Sequence, residues 1–212
     1  TTRNNRAGLF FPAWVGNHVR SSYTPPSSSP PTVCSPIARE IVSVTSNVEP
    51  KFVDTVRGWL VSLPHDLKVV FEALDDENLA RPLRELAVGA IMYVVSPNDL
   101  IADRQVGVVG YADDAVLLRL ALREIVAKND EDSQAFRDRF PEVFDGLEDG
   151  LKLCGQVMGD LMTWLEGKLP TLAKLEYKGK KVKAYLDNDE ARELLFEDAL
   201  VFRTDYPVAE KP

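Results

Sequence analysis

Residues 82–126 read PLRELAVGAIMYVVSPNDLIADRQVGVVGYADDAVLLRLALREIV, and this stretch decides the fold. Leu83, Leu86, Ala87, Ala90, Ile91 and Val94 recur at three- and four-residue steps, the spacing of one helix face. Pro82 stands at the start of that helix, where a missing amide costs nothing. Ser96-Pro97 ends it, because proline disfavours the α conformation in the residue before it. A second apolar helix is predicted from about Tyr111 to Lys128 through Ala115, Leu118, Leu122, Ile125 and Val126. The link at 96–110 is too short for a third long element, so the two helices form an antiparallel hairpin over residues 80–127.

The link itself carries a motif. Tyr93 precedes Ser96-Pro97-Asn-Asp-Leu-Ile-Ala-Asp103, and Gly107-Val-Val-Gly-Tyr-Ala-Asp-Asp114 opens the second helix. This arrangement resembles the YkvA-like domain, a bacterial family without an established function. Ser96, Pro97, Asp99, Leu100, Ile101, Asp103, Gly110, Asp113 and Asp114 stand at matching positions, while Ala102 replaces the usual proline. The resemblance covers roughly residues 80–126, about a fifth of the chain. It implies a small helical domain and no particular chemistry. Some members are attached to membrane segments.

Elementary physical chemistry offers two readings of the motif. In the structural one, Ser96 caps a turn with Pro97 at its first position, and Asp99 accepts backbone amides. Asp113 and Asp114 fall in the first helical turn, where the macrodipole favours negative charge by about 0.3–1 kcal/mol each. In the functional one, Asp99, Asp103, Asp113 and Asp114 converge and hold a divalent cation, Mg²⁺, Ca²⁺ or Mn²⁺, since crowded carboxylates repel unless a cation or proton sits among them. The spacing does not follow the EF-hand loop.

Upstream, Phe52, Val53, Val56, Leu60 and Leu63 predict a helix beginning near Glu49, and Pro64 is expected to open a second short one through Leu67, Val70, Phe71 and Leu74. The stretch SSYTPPSSSPPTVCSP (21–36) draws 11 of its 16 residues from Ser and Pro. Such a composition buries no face, so residues 1–45 are expected to be disordered or extended. Arg3, Arg6 and Arg20 are the only charged residues in 1–36, so residues 37–212 carry −11 against −8 for the whole chain. Two readings of this leader stand open, an organellar transit peptide or a segment not native to the protein.

Downstream, Pro141 is expected to start the longest helix, through Val143, Phe144, Leu147, Leu151, Val157, Met158, Leu161, Met162 and Leu165. Gly146, Gly150, Gly155 and Gly159 either permit close packing there or break the element in two. The run 130–149 reads as an exposed, charged helix pair. YKGKKVKAYL (177–186) reads as a small hairpin or as a loop entering a helix. Asp189 is expected to cap a last helix carrying Leu194, Leu195, Ala199 and Leu200. These elements define an all-α fold, a bundle of about five to seven helices around the hairpin. It forms a single helical domain over 46–206, followed by a tail at 207–212.

Several functions find no support. A net charge of −8 and a pI near 4.9 disfavour nucleic acid. Cys34 and Cys154 form no CxxC pair, no phosphate-loop motif occurs, and His18 and His65 are the only histidines. No apolar run approaches the roughly 20 residues of a membrane span. The leading expectation is a non-enzymatic structural or protein-interaction domain in the cytoplasm, with an unidentified protein partner and no cofactor. One rival is a metal-binding module or metal-dependent hydrolase using the four aspartates with Mg²⁺ or Ca²⁺. The other is a peripheral membrane protein binding through Lys174, Lys178, Lys180, Lys181 and Lys183, which are otherwise a solvated basic face.

Overall fold

A proline inside an α-helix removes one amide donor and orphans the carbonyl four residues earlier. In this computed structural model, which describes residues 36–96, 110–128 and 130–207, helix α1 (Pro36–Asp75) nevertheless runs unbroken through Pro50 and Pro64. The two short helices expected on either side of Pro64 are therefore one. The carbonyl of Leu60, which residue 64 would normally satisfy, accepts a 2.7 Å hydrogen bond from the Tyr206 hydroxyl instead. Leu63, Leu67, Val70 and Leu74 continue a single buried stripe across the proline. Packing of that stripe and the donor from Tyr206 together offset the break. α1 also begins at Pro36, inside the stretch 1–45 that composition reads as extended. Ile37, Ile41, Val44 and Val48 already keep a helical spacing there. Residues 1–35 lie outside the described residues.

The hairpin is as expected. α2 (Arg81–Val95) starts with Pro82 in its first turn and stops at Ser96, whose backbone is extended. α3 (Ala112–Ile125) returns antiparallel to it. Tyr93, near the end of α2, bonds Asp113 at the start of α3, while Leu83 and Leu86 share a surface hollow with Arg123 and Glu124 at the other end. α3 is buried nearly all round, from Asp113 to Leu122, as a helix with apolar residues on every face must be. It is the axis of the bundle, contacting α1 and α2 and two of the helices that follow.

α4 (Glu131–Arg139) is capped by Asp130, whose carboxylate accepts the Ser133 amide at 2.9 Å. The charged run 130–149 is exposed along much of its length, but Phe136, Val143 and Phe144 anchor it in the core. The long helix expected from Pro141 is three. α5 (Pro141–Phe144) is a single turn, and α6 (Leu147–Met158) and α7 (Asp160–Leu172) follow. Gly146 and Gly159 make the breaks with φ of +72° and +54°, a region costly for any residue with a Cβ. Gly150 does the opposite job: a Cβ there would lie 2.6 Å from the Trp59 ring, so its bareness lets α6 close on α1.

A short hairpin of β1 (Glu176–Tyr177) and β2 (Lys180–Lys181) leads into α8 (Val182–Asp187), so both readings of 177–186 hold in part. Its two-residue turn has positive φ at Lys178 and Gly179, the combination that matches strand twist. The last helix, α9 (Asp189–Asp205), is capped by Asn188, not Asp189, through a 2.8 Å bond from the Ala191 amide. The shift is one residue: the extended backbone needed by a cap falls at Asn188. Seven helices of nine residues or more are present among the described residues, and the buried side chains form one apolar cluster.

Candidate functional site

The corner between α2 and α3 holds two of the four aspartates singled out by their spacing. Asp113 and Asp114 lie in the first turn of α3, as expected, with only 1% and 0% of their surface exposed. Tyr93 donates its phenolic hydrogen to Asp113 at 3.0 Å, tying the end of α2 to the start of α3. Tyr111, just before α3, stacks edge-on against Phe202 and Tyr206, so the corner is closed from above by α9 and the residue after it. Asp99 and Asp103, together with Pro97 and the rest of the link to Val109, lie outside the described residues. Among the described residues no group of three or more His, Cys, Asp or Glu side chains is placed to hold a metal ion.

A second polar centre was not foreseen from spacing. Arg119, in the middle of α3, grips Asp66 of α1 through two bonds of 2.7 and 2.8 Å. The same guanidinium donates to Ser62 at 3.0 Å and to the carbonyl of Val143, and it lies 5.7 Å above the Trp59 ring. Ser62 in turn donates to Asp66 at 3.2 Å. Burial raises the Asp66 carboxyl above its usual range, while Arg119 and Ser62 pull in the other direction. A forked guanidinium facing both carboxylate oxygens is the arrangement that best holds such a pair in a dry interior. The signal was present in the sequence. Asp66 sits within the stripe Leu63, Leu67, Val70, and Arg119 is flanked by Leu117, Leu118, Leu120 and Ala121. One charge inside each of two apolar helix faces calls for a buried partner without naming it.

The basic stretch is partly accounted for by the fold. Lys178 pairs with Asp198 of α9 at 2.7 Å, and Tyr177 donates to the same carboxylate at 3.1 Å. Burial, reinforced by Asp198, pushes the Tyr177 hydroxyl up to about 12. Lys180 and Lys181 form β2. His65 is exposed and meets Glu142 at 3.0 Å, so it serves as a tie between α1 and α5. Cys154 is a free thiol with none of its surface exposed, and burial pushes it up to about 11. A thiol so protonated is a poor nucleophile at neutral pH.

Two surface features remain. Glu72, Asp75, Asp76, Glu77 and Asp132 line an acidic hollow of about 590 Å³ between α1 and α4. It is bridged by Arg139, which meets Asp76, and Arg192 approaches Asp75 at 3.5 Å. The other is apolar. Leu194, Phe196, Leu200 and Val201 of α9 are 43–59% exposed. Phe196 and Leu200, with Pro64, Leu67 and Phe71 of α1, line a small hollow of about 140 Å³. Of the four apolar residues that the sequence places on this last helix, Leu194 and Leu200 are exposed. Ala191, Leu195 and Ala199 take the buried side of α9, the last two each one residue back from Phe196 and Leu200.

The family model described as "Protein of unknown function (DUF1232)" matches residues 84–120, the heart of the hairpin. The resemblance to the YkvA-like domain is consistent with that match. No curated protein and no solved structure is found to match the chain. No helix among the described residues is long and apolar enough to cross a membrane.

Proposed function

We propose that the protein is a helical interaction module, with the hairpin as its rigid centre and α9 as its contact surface. What supports this reading is a contrast in burial. The charged groups Asp66, Asp113, Asp114 and Arg119 are at most 5% exposed, whereas Phe196 and Leu200 stand 48% and 43% exposed beside each other on α9. A reaction requires functional groups within reach of a substrate, and docking requires accessible apolar anchors. The polar centres here hold helices together, and the accessible anchors lie elsewhere.

The test replaces Phe196 and Leu200 together by Gln and compares protein contacts by crosslinking in the native cell. Both side chains are exposed, so thermal unfolding should change little while crosslinks at α9 disappear. Unchanged crosslinks at α9 with both anchors removed would reject the reading.

A metal-binding role for Asp99, Asp103, Asp113 and Asp114 is the rival reading. It draws support from two adjacent buried carboxylates in the first turn of α3. Calorimetric titration with Mg²⁺, Ca²⁺ and Mn²⁺, on the wild type and on Asp113→Asn, separates the two. Heat lost in the variant favours the ion; silence in the wild type removes it.

A further inference from the structure

We infer that the partner of α9 is a second copy of this chain, bound antiparallel, α9 against α9, in a two-fold dimer. The inference rests on the interaction-module reading and names its partner. Along one face of α9 stand Glu193, Phe196, Leu200 and Arg203, at steps of three, four and three, and all four are exposed. These steps keep the four side chains in a single stripe, the seam that lets two helices pack along their length.

The stripe is a chemical palindrome. A two-fold axis midway between Phe196 and Leu200 places each Phe196 opposite the Leu200 of the second copy. The same axis places each Glu193 opposite the Arg203 of the second copy. Apolar meets apolar at the centre and opposite charges meet at both ends, twice over. Such self-complementarity is the condition for an isologous contact. A partner of unrelated sequence would place no symmetry requirement on this order of residues.

The surroundings agree. Neither Glu193 nor Arg203 forms an ion pair among the described residues, so both charges are free to face outward. Lys68 and Arg203 line the hollow that Phe196 and Leu200 share with α1, giving it a cationic rim beside which the second copy's Glu193 would lie. At about 140 Å³ that hollow falls below the range of roughly 300–1,000 Å³ typical of small-molecule sites. It is of a size for a protruding side chain. Phe71 already meets Phe196 edge-on at 5.5 Å, so the anchor is held in place before association.

Sedimentation equilibrium and light scattering on the full chain test this, with charge reversal as the discriminating step. The wild type should dimerise with concentration. Glu193→Arg and Arg203→Glu should each weaken the dimer by about tenfold or more, since each sets like charges face to face. The double variant carrying both changes should recover wild-type association, because the charges again alternate. Thermal unfolding of each single variant, expected to match the wild-type monomer, shows that the loss of association is not a loss of fold. A wild type monomeric at its highest soluble concentration overturns the inference, as does a dimer indifferent to both reversals. Neither result touches the interaction-module reading, which falls only if α9 crosslinks in cells survive removal of Phe196 and Leu200.

Discussion

The hydroxyl of Tyr206 donates to the carbonyl of Leu60, the acceptor that Pro64 leaves without its helical partner. A residue just beyond the last helix thereby completes the hydrogen bonding of the first. Tyr206→Phe should cost about 1–3 kcal/mol, the penalty of a buried acceptor left unmet. In a Pro64→Ala background the amide of residue 64 can take that carbonyl, so the same tyrosine change should cost less. Urea unfolding of the four proteins in this cycle measures the coupling; strictly additive costs would contradict it.

The Asp66–Arg119 pair predicts a larger effect. Asp66→Ala strands a buried guanidinium and should destabilise by about 3–5 kcal/mol. Replacing both residues by apolar ones, Asp66→Leu with Arg119→Met, removes the stranded charge and should cost less than the single change. Thermal melts compare them directly. A double variant weaker than Asp66→Ala would show that the network does more than neutralise itself.

Two glycines predict opposite signs for one substitution. A Cβ at Gly89 would fall on the backbone carbonyl of Leu172, so Gly89→Ala must push α2 and α7 apart, at about 1–3 kcal/mol. A Cβ at Gly155 meets nothing within 4 Å, and Gly155→Ala should stabilise α6 by up to about 1 kcal/mol. Midpoints of denaturant unfolding moving in the same direction would refute the packing.

Cys154 ties stability to alkaline pH. Its thiol is raised by burial from 9.0 to about 11, so the folded state keeps its proton where the unfolded state has lost it. The unfolded chain then binds fewer protons, and stability falls as pH rises from about 9 toward 11. The decline should be shallower in Cys154→Ala than in the wild type. In a Cys34→Ser chain the remaining thiol should resist a disulfide reagent at pH 8 until denaturant is added. Rapid reaction of the native chain would mean that α6 opens readily.

Much of this fold can be read from local pattern. The stripe of Ala87, Ala90, Ile91 and Val94, ended by Ser96-Pro97, and the apolar run from Ala115 to Ile125 determine the hairpin. Periodicity acts within one element, and a short link leaves an antiparallel return as the economical geometry. Asp113 and Asp114 were placed correctly because a first turn follows from the start of the helix. The missed features are relations between elements. Pro64 reads as a break until Tyr206 is seen beside Leu60, 146 residues away in sequence. The four glycines after Pro141 look alike until two are found at positive φ and one against Trp59.

The sequence by itself determined that the chain is helical, where its central hairpin lies and which residues begin α3, because each depends on neighbours a few positions apart. Only the tertiary structure decided that α1 passes through its proline, that Asp66 and Arg119 neutralise each other, and that Phe196 and Leu200 face outward. The reason is physical. A hydrogen-bond donor, a countercharge or a covering side chain can come from any part of the chain, and only folding brings it within about 3 Å.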